Sequence, residues 1–266
     1  MDTYHRDFLT LLHETGYTFG MPPGLQPELP LRKDLSLTEG TTILSIQYRD
    51  GVIIAGDRRA TAGTSIMYDR AEKVLTIDDY SILAISGSPG IAMEVARILE
   101  HSFQHYRRSQ LQELSLDGKL RTLSRLLKEN LSMALQGIGA VLPIFASFDR
   151  DAGQGKLFFY DVLGAQFEST DFATSGSGSV WVRGALSYLN RWGEKRFTDM
   201  NDEEAVGIIL RLLDTAAEHD AATSGTDSRA NRFPSIKTVT GEGIREMTQQ
   251  QIQTLYLQYV EAGHVR

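Results

Sequence analysis

Past residue 40 the apolar positions fall first into short strand-like runs. Residues 41–48 and 52–57 are β-rich and broken by Arg49-Asp50-Gly51, an Asp-Gly hairpin signal. Residues 74–77 and 81–86 repeat the pattern around Asp78-Asp79-Tyr80, so two hairpins are predicted to build one sheet. The period then changes. Ser88 stands at a cap position, Pro89 suits the first helical position, and Ile91, Ala92, Val95, Ile98, Leu99 and Phe103 form one stripe. A second helix is predicted over 117–136, with Leu120, Leu123, Leu127, Leu131 and Ala134 on one side. Strands return at 142–148, 157–161 and 166–175, followed by Gly176-Ser177-Gly178-Ser179. Helices at 179–191 and 202–219 come next, the latter opened by Asn201 with Glu204 three residues on, in capping-box spacing. Strands at 236–240 and 244–247 and a helix capped by Thr248 close the pattern. Ile252, Leu255, Tyr256 and Tyr259 make the apolar face of that last helix.

Helix pairs bracketed by strands on both sides predict an α+β chain. The arrangement suggested is a four-layer αββα sandwich of two antiparallel sheets rather than the βαβ alternation of a parallel one. Periodicity alone permits other α+β arrangements. Residues 1–40 are different: four of the seven prolines lie there, and the only helical signal is Phe8, Leu9, Leu11 and Leu12. That segment reads as an arm. Its apolar run is too short for a signal peptide, and it carries six acidic and three basic residues rather than a basic start. No later run approaches transmembrane length, so no membrane partner is expected.

The chain of 266 residues has a net charge of -7, which gives no electrostatic footprint for nucleic acid. With no cysteine, it has no disulfide framework, thiolate nucleophile or CxxC metal site, which fits a cytoplasmic location. His101 and His105 stand one helical turn apart, but without a third ligand nearby they read as a solvated or interface face, and no metal is expected. The glycine-serine turn at 176–179 stands before a helix, where it can cradle phosphate, but it lacks a Walker lysine and the third glycine of a dinucleotide fingerprint, so the nucleotide signal is weak.

Candidate chemistry gathers around Gly40-Thr41-Thr42-Ile43, Asp57-Arg58-Arg59 and Lys73. An internal threonine is an ordinary hydroxyl. If the Gly40–Thr41 bond is cut, Thr41 carries a free α-amine beside its Oγ, and that amine can act as base. An α-amine has a reference pKa near about 8, so a useful fraction is unprotonated at neutral pH. Lys73 is the candidate cation that lowers it further and stabilises a developing alkoxide, with Asp57 holding the lysine charged and aimed. Glycine at position 40 permits the tight turn in which Thr41 Oγ attacks the preceding carbonyl. Each motif alone has a plainer reading as a turn, a solvated loop or a surface lysine.

Their order and spacing decide between those readings. Thr41 to Ile46, then Gly51 to Thr61, Lys73, Ser86-Gly87, Gly176 to Ser179 and Asp220-Ala221-Ala222-Thr223 together resemble a proteasome β subunit of the bacterial, actinobacterial type. The resemblance spans nearly all of residues 41–260. It implies the N-terminal nucleophile hydrolase fold, with residues 1–40 a propeptide removed by autocleavage and residues 41–266 the catalytic domain. It also implies peptide-bond hydrolysis without a cofactor. Thr41 attacks, Asp57 and Lys73 tune it, the Gly87 N–H holds the oxyanion, and Ser177, Asp220 and Thr223 support the new amine. Thr61 pairs with an extended peptide, and Ala60, Ala71, Leu75, Ile85 and Met93 shape an apolar first pocket with Pro89 at its rim. The partners implied are a homo-heptameric β ring, proteasome α subunits, a ring-shaped ATPase activator and polypeptide substrates.

Two departures stand out. Pro89 removes an N–H where relatives usually carry a small residue, and Ser224 stands where glycine is common. The alternatives are a simpler threonine peptidase like HslV, a noncatalytic scaffold subunit of such a ring, and a small-molecule amidase of the same fold. A 40-residue arm argues against the first, and the presence of Thr41 and Lys73 argues against the second.

Overall fold

The computed structural model of the chain describes residues 8–16, 41–62, 65–136, 139–227, 230 and 232–262. Helix α1 (Phe8–Glu14) precedes strands β1 (Thr42–Tyr48), β2 (Gly51–Gly56), β3 (Ala60–Ala62), β4 (Ser65–Tyr68), β5 (Val74–Asp78) and β6 (Ser81–Ala84). Helices α2 (Pro89–Gln110), α3 (Leu116–Glu129) and α4 (Leu131–Leu135) follow, then β7 (Ile144–Asp149), β8 (Gln154–Tyr160), β9 (Gln166–Ser169) and β10 (Phe172–Gly176). The chain ends with α5 (Ser179–Trp192), α6 (Asp202–His219), β11 (Ser235–Thr240), β12 (Gly243–Glu246) and α7 (Gln249–Tyr256).

Two five-stranded antiparallel sheets result, one in the order β10-β1-β2-β11-β12 and one in the order β5-β6-β7-β8-β9, with β3-β4 a separate hairpin. Their inner strands are largely apolar on both faces because both faces are covered, whereas the edge strands β9 and β12 are exposed or half-buried. In β2, Val52 and Ile54 enter the core between the sheets, whereas Ile53 and Ala55 enter a second core under α5, α6 and α7. In β6, β7 and β8 the same alternation sends Leu83, Phe145 and Phe158 into a third core beneath α2 and α3, and Ile82, Ala146 and Leu157 inward. Three cores separated by two sheets make the expected four-layer αββα sandwich.

Four features depart from the sequence reading. The two hairpins expected to build one sheet are split, β1-β2 into the first sheet and β5-β6 into the second, because each finds its neighbours later in the chain. The helix expected over 117–136 is two, broken at Asn130, whose side-chain amide donates to the Gly139 carbonyl at 2.5 Å and ties the helix end to the following loop. The buried stripe accordingly stops at Leu127. The strand expected over 166–175 is also two: β9 edges one sheet and β10 the other. Ser169 Oγ closes the turn between them on the Phe172 carbonyl at 2.5 Å, so the chain changes layers there. Strand β4, with exposed Ile66, Met67 and Tyr68, carries no core-facing alternation and was not expected.

Capping follows the sequence at Asn201 and Thr248, both of which form complete capping boxes, whereas Ser88 occupies its cap position without a side-chain bond. On α2, His101 and His105 flank the Phe8 ring of α1, with centroids 6.2 and 5.7 Å away, and Leu9 is buried beside them. Among the described residues no group of three His, Asp or Glu side chains is placed to hold a metal. Nor is any of their helices long and apolar enough to cross a membrane.

Candidate active site

Strand β1 is held on both edges, by β10 through Thr42 opposite Gly176 and by β2 through Ile43 opposite Gly56. The residue before it, Thr41, is therefore fixed between the turn that leaves β10 and the loop that leaves β2. The first supplies Ser177, the second Asp57. Thr41 is buried, at 7% exposure, and Gly40 lies outside the described residues.

Asp57 is saturated with donors. Its Oδ1 accepts from Thr42 N at 2.8 Å and Lys73 Nζ at 2.7 Å, and its Oδ2 from Arg59 N at 2.8 Å, Ser224 N at 3.0 Å and Ser224 Oγ at 3.3 Å. Lys73 also donates to the Arg59 carbonyl at 2.5 Å. The side chains are nearly inaccessible, 6% exposed for Lys73 and 0% for Asp57. Burial pushes the Lys73 pKa below the usual lysine range, and the Asp57 carboxylate pulls it only partly back.

A second network reaches Thr41 itself. Its backbone nitrogen, a peptide N–H in the uncut chain, lies 3.4 Å from Ser177 Oγ. Ser177 donates to Asp220 Oδ2 at 2.6 Å, and Thr223 Oγ1 donates to the same oxygen at 2.6 Å. Thr42 Oγ1 stands 2.6 Å from Thr223 Oγ1. Since Thr223 gives its proton to Asp220, Thr42 is the donor of that pair.

Two glycines make this approach feasible. Gly176 has φ +93°, and a Cβ there would collide with the Thr41 carbonyl oxygen. A Cβ on Gly178 would strike Thr42 Oγ1 and lie 2.9 Å from Thr223 Oγ1. The glycine-serine turn is thus a device for bringing β10 and β1 together. Gly87, at φ +105°, forms an isolated antiparallel bridge with Val141. Its neighbours carry the flanking bonds, Ser88 N to the Ala140 carbonyl and Leu142 N to the Ser86 carbonyl, so Gly87 turns its own N–H to the opposite edge.

The fold brings Thr41, Asp57, Lys73, Ser177, Asp220 and Thr223 into the two connected networks. It places the expected substrate residues less uniformly. Leu75 pairs with Leu83 across β5 and β6, and Ile85 N bonds to the Lys73 carbonyl, so both follow directly from the lysine. Ile85 is buried at 4% exposure in the core under α2 and so backs a pocket more than it lines one. Pro89 and Met93 are exposed on the opening turns of α2, and Ala60, Thr61 and Ala71 are half-buried around β3. Two participants were missed in the sequence. Thr42 serves both networks, and Arg59 clamps the Ala221 and Thr223 carbonyls through Nη1 at 2.9 and 3.3 Å. Thr42, a second threonine at the head of an apolar strand, was a usable signal; Arg59, within an ordinary-looking Asp-Arg-Arg loop, was not.

The family model described as proteasome subunit matches residues 37–229. The chain belongs to the proteasome subunit family. It is 42% identical over 230 residues to proteasome subunit beta 2 of Thermomonospora curvata, covering 86% of this chain and 80% of that protein. To proteasome subunit beta of Streptomyces griseus it is 38% identical over 231 residues, covering 87% and 80%. To the beta subunit of Jonesia denitrificans it is 40% identical over 227 residues, covering 85% and 73%. It is a bacterial proteasome subunit of the β type, and membership places it in a multisubunit particle.

Proposed function

We propose that this β-type subunit is catalytic, a threonine endopeptidase whose nucleophile is Thr41 freed by removal of residues 1–40. The observation that carries this reading is the pair of networks on either side of Thr41: the buried Asp57–Lys73 pair bonded to the N–H of the next residue, Thr42, and the Ser177–Asp220 relay on the nitrogen of Thr41 itself. A scaffold subunit has no use for either. In the uncut chain Thr41 Oγ attacks the Gly40 carbonyl, and an N→O acyl shift followed by water leaves Thr41 with a free amine. In the processed enzyme that amine takes the Oγ proton as Oγ attacks a peptide carbonyl. The Gly87 N–H then receives the oxyanion, the amine side of the substrate leaves with the transferred proton, and water releases the acyl group. Removal of one oxyanion donor costs about 10²- to 10³-fold in comparable sites.

Ser177, Asp220 and Thr223 orient the amine and relay its proton. Thr61 on β3 pairs with the extended substrate backbone, and Ala60, Ala71, Leu75, Ile85 and Met93, with Pro89 at the rim, favour cleavage after apolar residues. The homo-heptameric β ring, the α subunits and the ring-shaped ATPase that feeds unfolded or tagged polypeptides complete a cytoplasmic particle in this reading. Exposed aromatics at Trp181, Tyr188 and Trp192, along one face of α5, support burial of that face in an assembly.

Thr41→Ala is expected to leave residues 1–40 attached and abolish peptidase activity, read by intact mass and by a fluorogenic peptide. Complete processing of that variant would assign the cut to another protease. Wild-type particle is expected to cleave reporters ending in apolar residues fastest, and equal rates on acidic reporters would reject the pocket assignment.

A further inference from the structure

We infer that Ser224 is a positioning residue whose hydroxyl locks the Asp57 carboxylate and joins the two networks around Thr41. The inference rests on the threonine-protease reading above. Ser224 directly follows Thr223, so its main chain belongs to the loop that carries the Asp220 relay. Its hydroxyl leaves that loop: it accepts from Arg58 N at 3.0 Å and donates to Asp57 Oδ2 at 3.3 Å, beside its own N–H at 3.0 Å on the same oxygen. One side chain therefore spans the loop after β2 and the loop after α6. A glycine in its place keeps the main-chain donor, removes the hydroxyl and leaves the Arg58 N–H without this acceptor.

The consequence runs through Lys73. Three donors fix Oδ2, and that orientation presents Oδ1 to Lys73 Nζ and Thr42 N. Without the hydroxyl the carboxylate is less tightly oriented and its charge less compensated. It then holds the lysine proton more firmly, because a carboxylate with fewer donors attracts a neighbouring cation more strongly. Lys73 keeps its charge to higher pH but is less well aimed. Turnover falls while substrate affinity does not, since Ser224 bonds to the Asp57 loop and not to any residue placed along the substrate.

The test compares the assembled, processed particle carrying Ser224→Ala, Ser224→Gly or Ser224→Thr with wild type, on a fluorogenic peptide across pH. The alanine and glycine variants are expected to lose about five-fold in kcat, the scale of one hydrogen bond, with KM unchanged and the alkaline limb moved upward. Ser224→Thr, which retains a hydroxyl, is expected to keep wild-type kcat and limb. Wild-type kcat and pH profile in Ser224→Ala, a loss confined to KM, or a threonine variant as impaired as the alanine one would overturn the inference while leaving the protease reading intact. A wild-type particle with no threonine-dependent activity would overturn both.

Discussion

Among the described residues two buried lysines pair with aspartates at opposite ends of β5, and the pairs are alike in length but not in consequence. At the start of β5, Lys73 meets Asp57 at 2.7 Å; at its end, Lys119 of α3 meets Asp78, also at 2.7 Å, with the lysine side chains 6% and 7% exposed. Asp57 is inaccessible and has five donors, whereas Asp78 is 21% exposed and takes Tyr80 N besides its lysine. Lys119 turns toward Ser81 Oγ at 3.1 Å and the Phe103 ring at 5.7 Å, which ties α3 to a hairpin. A buried lysine is therefore no mark of catalysis in itself. What separates the two is the strand next to the carboxylate: Thr42, the neighbour of the proposed nucleophile Thr41, donates to Asp57, and among the described residues nothing equivalent lies beside Asp78.

Removing each lysine gives the widest contrast. Lys73→Ala is expected to cut turnover by about 10²- to 10⁴-fold, the scale of a lost acid–base partner, and to stall removal of the arm. It also strands the Asp57 charge, at a stability cost of about 3 kcal/mol, measurable by denaturant melts. Lys119→Ala is expected to lower stability by less, because Asp78 retains some solvent, and to leave turnover per folded site unchanged. Equal loss of turnover in the two variants would erase the distinction.

Ser177→Ala probes the open network instead of the buried one. Because Ser177 is exposed, the melting temperature is expected to hold within experimental scatter while turnover falls roughly ten-fold, the scale of a lost hydrogen bond to a charged group. A large stability change would mean that the relay is part of the scaffold.

The smallest effect sharpens the comparison by pH. Burial lowers the Lys73 pKa from its ordinary value, so the alkaline limb of kcat/KM is expected below the usual lysine range of about 10.4. Activity holds below that limb and is lost as Lys73 gives up its proton. For stability the sign is opposite. Between the lowered value and about 10.4 the unfolded chain binds more protons than the folded one, so the cost of burying Lys73 is present at neutral pH and eases as pH climbs through that window. A limb at or above the ordinary lysine value would show that Asp57 outweighs burial.

Much of this was legible along the chain because the strands and helices differ in period, and because Gly176 and Gly178 stand where close approach demands them. The proposed catalytic set was legible only as a pattern, since Asp57 and Lys73 lie 16 residues apart and meet only through β2 and the lead-in to β5. The layer change at residues 170–171 was hidden, as Gln166 to Ser175 reads as one β-rich run until its two halves find different sheets. Asn130 concealed its break in the helix because its partner, the Gly139 carbonyl, lies beyond the helix end. The clamp made by Arg59 was invisible for the same reason: the two carbonyls that its Nη1 holds are more than 160 residues away.

Strand β1 lies in the interior of its sheet, with ladders to β10 and β2 that begin at Thr42 and Ile43. Most chain ends fray because only one flank restrains them. A terminus created by hydrolysis before Thr41 would be born already stitched along both edges. It would need no folding step between being made and being used, and the arm could depart without taking the alignment of the nucleophile with it.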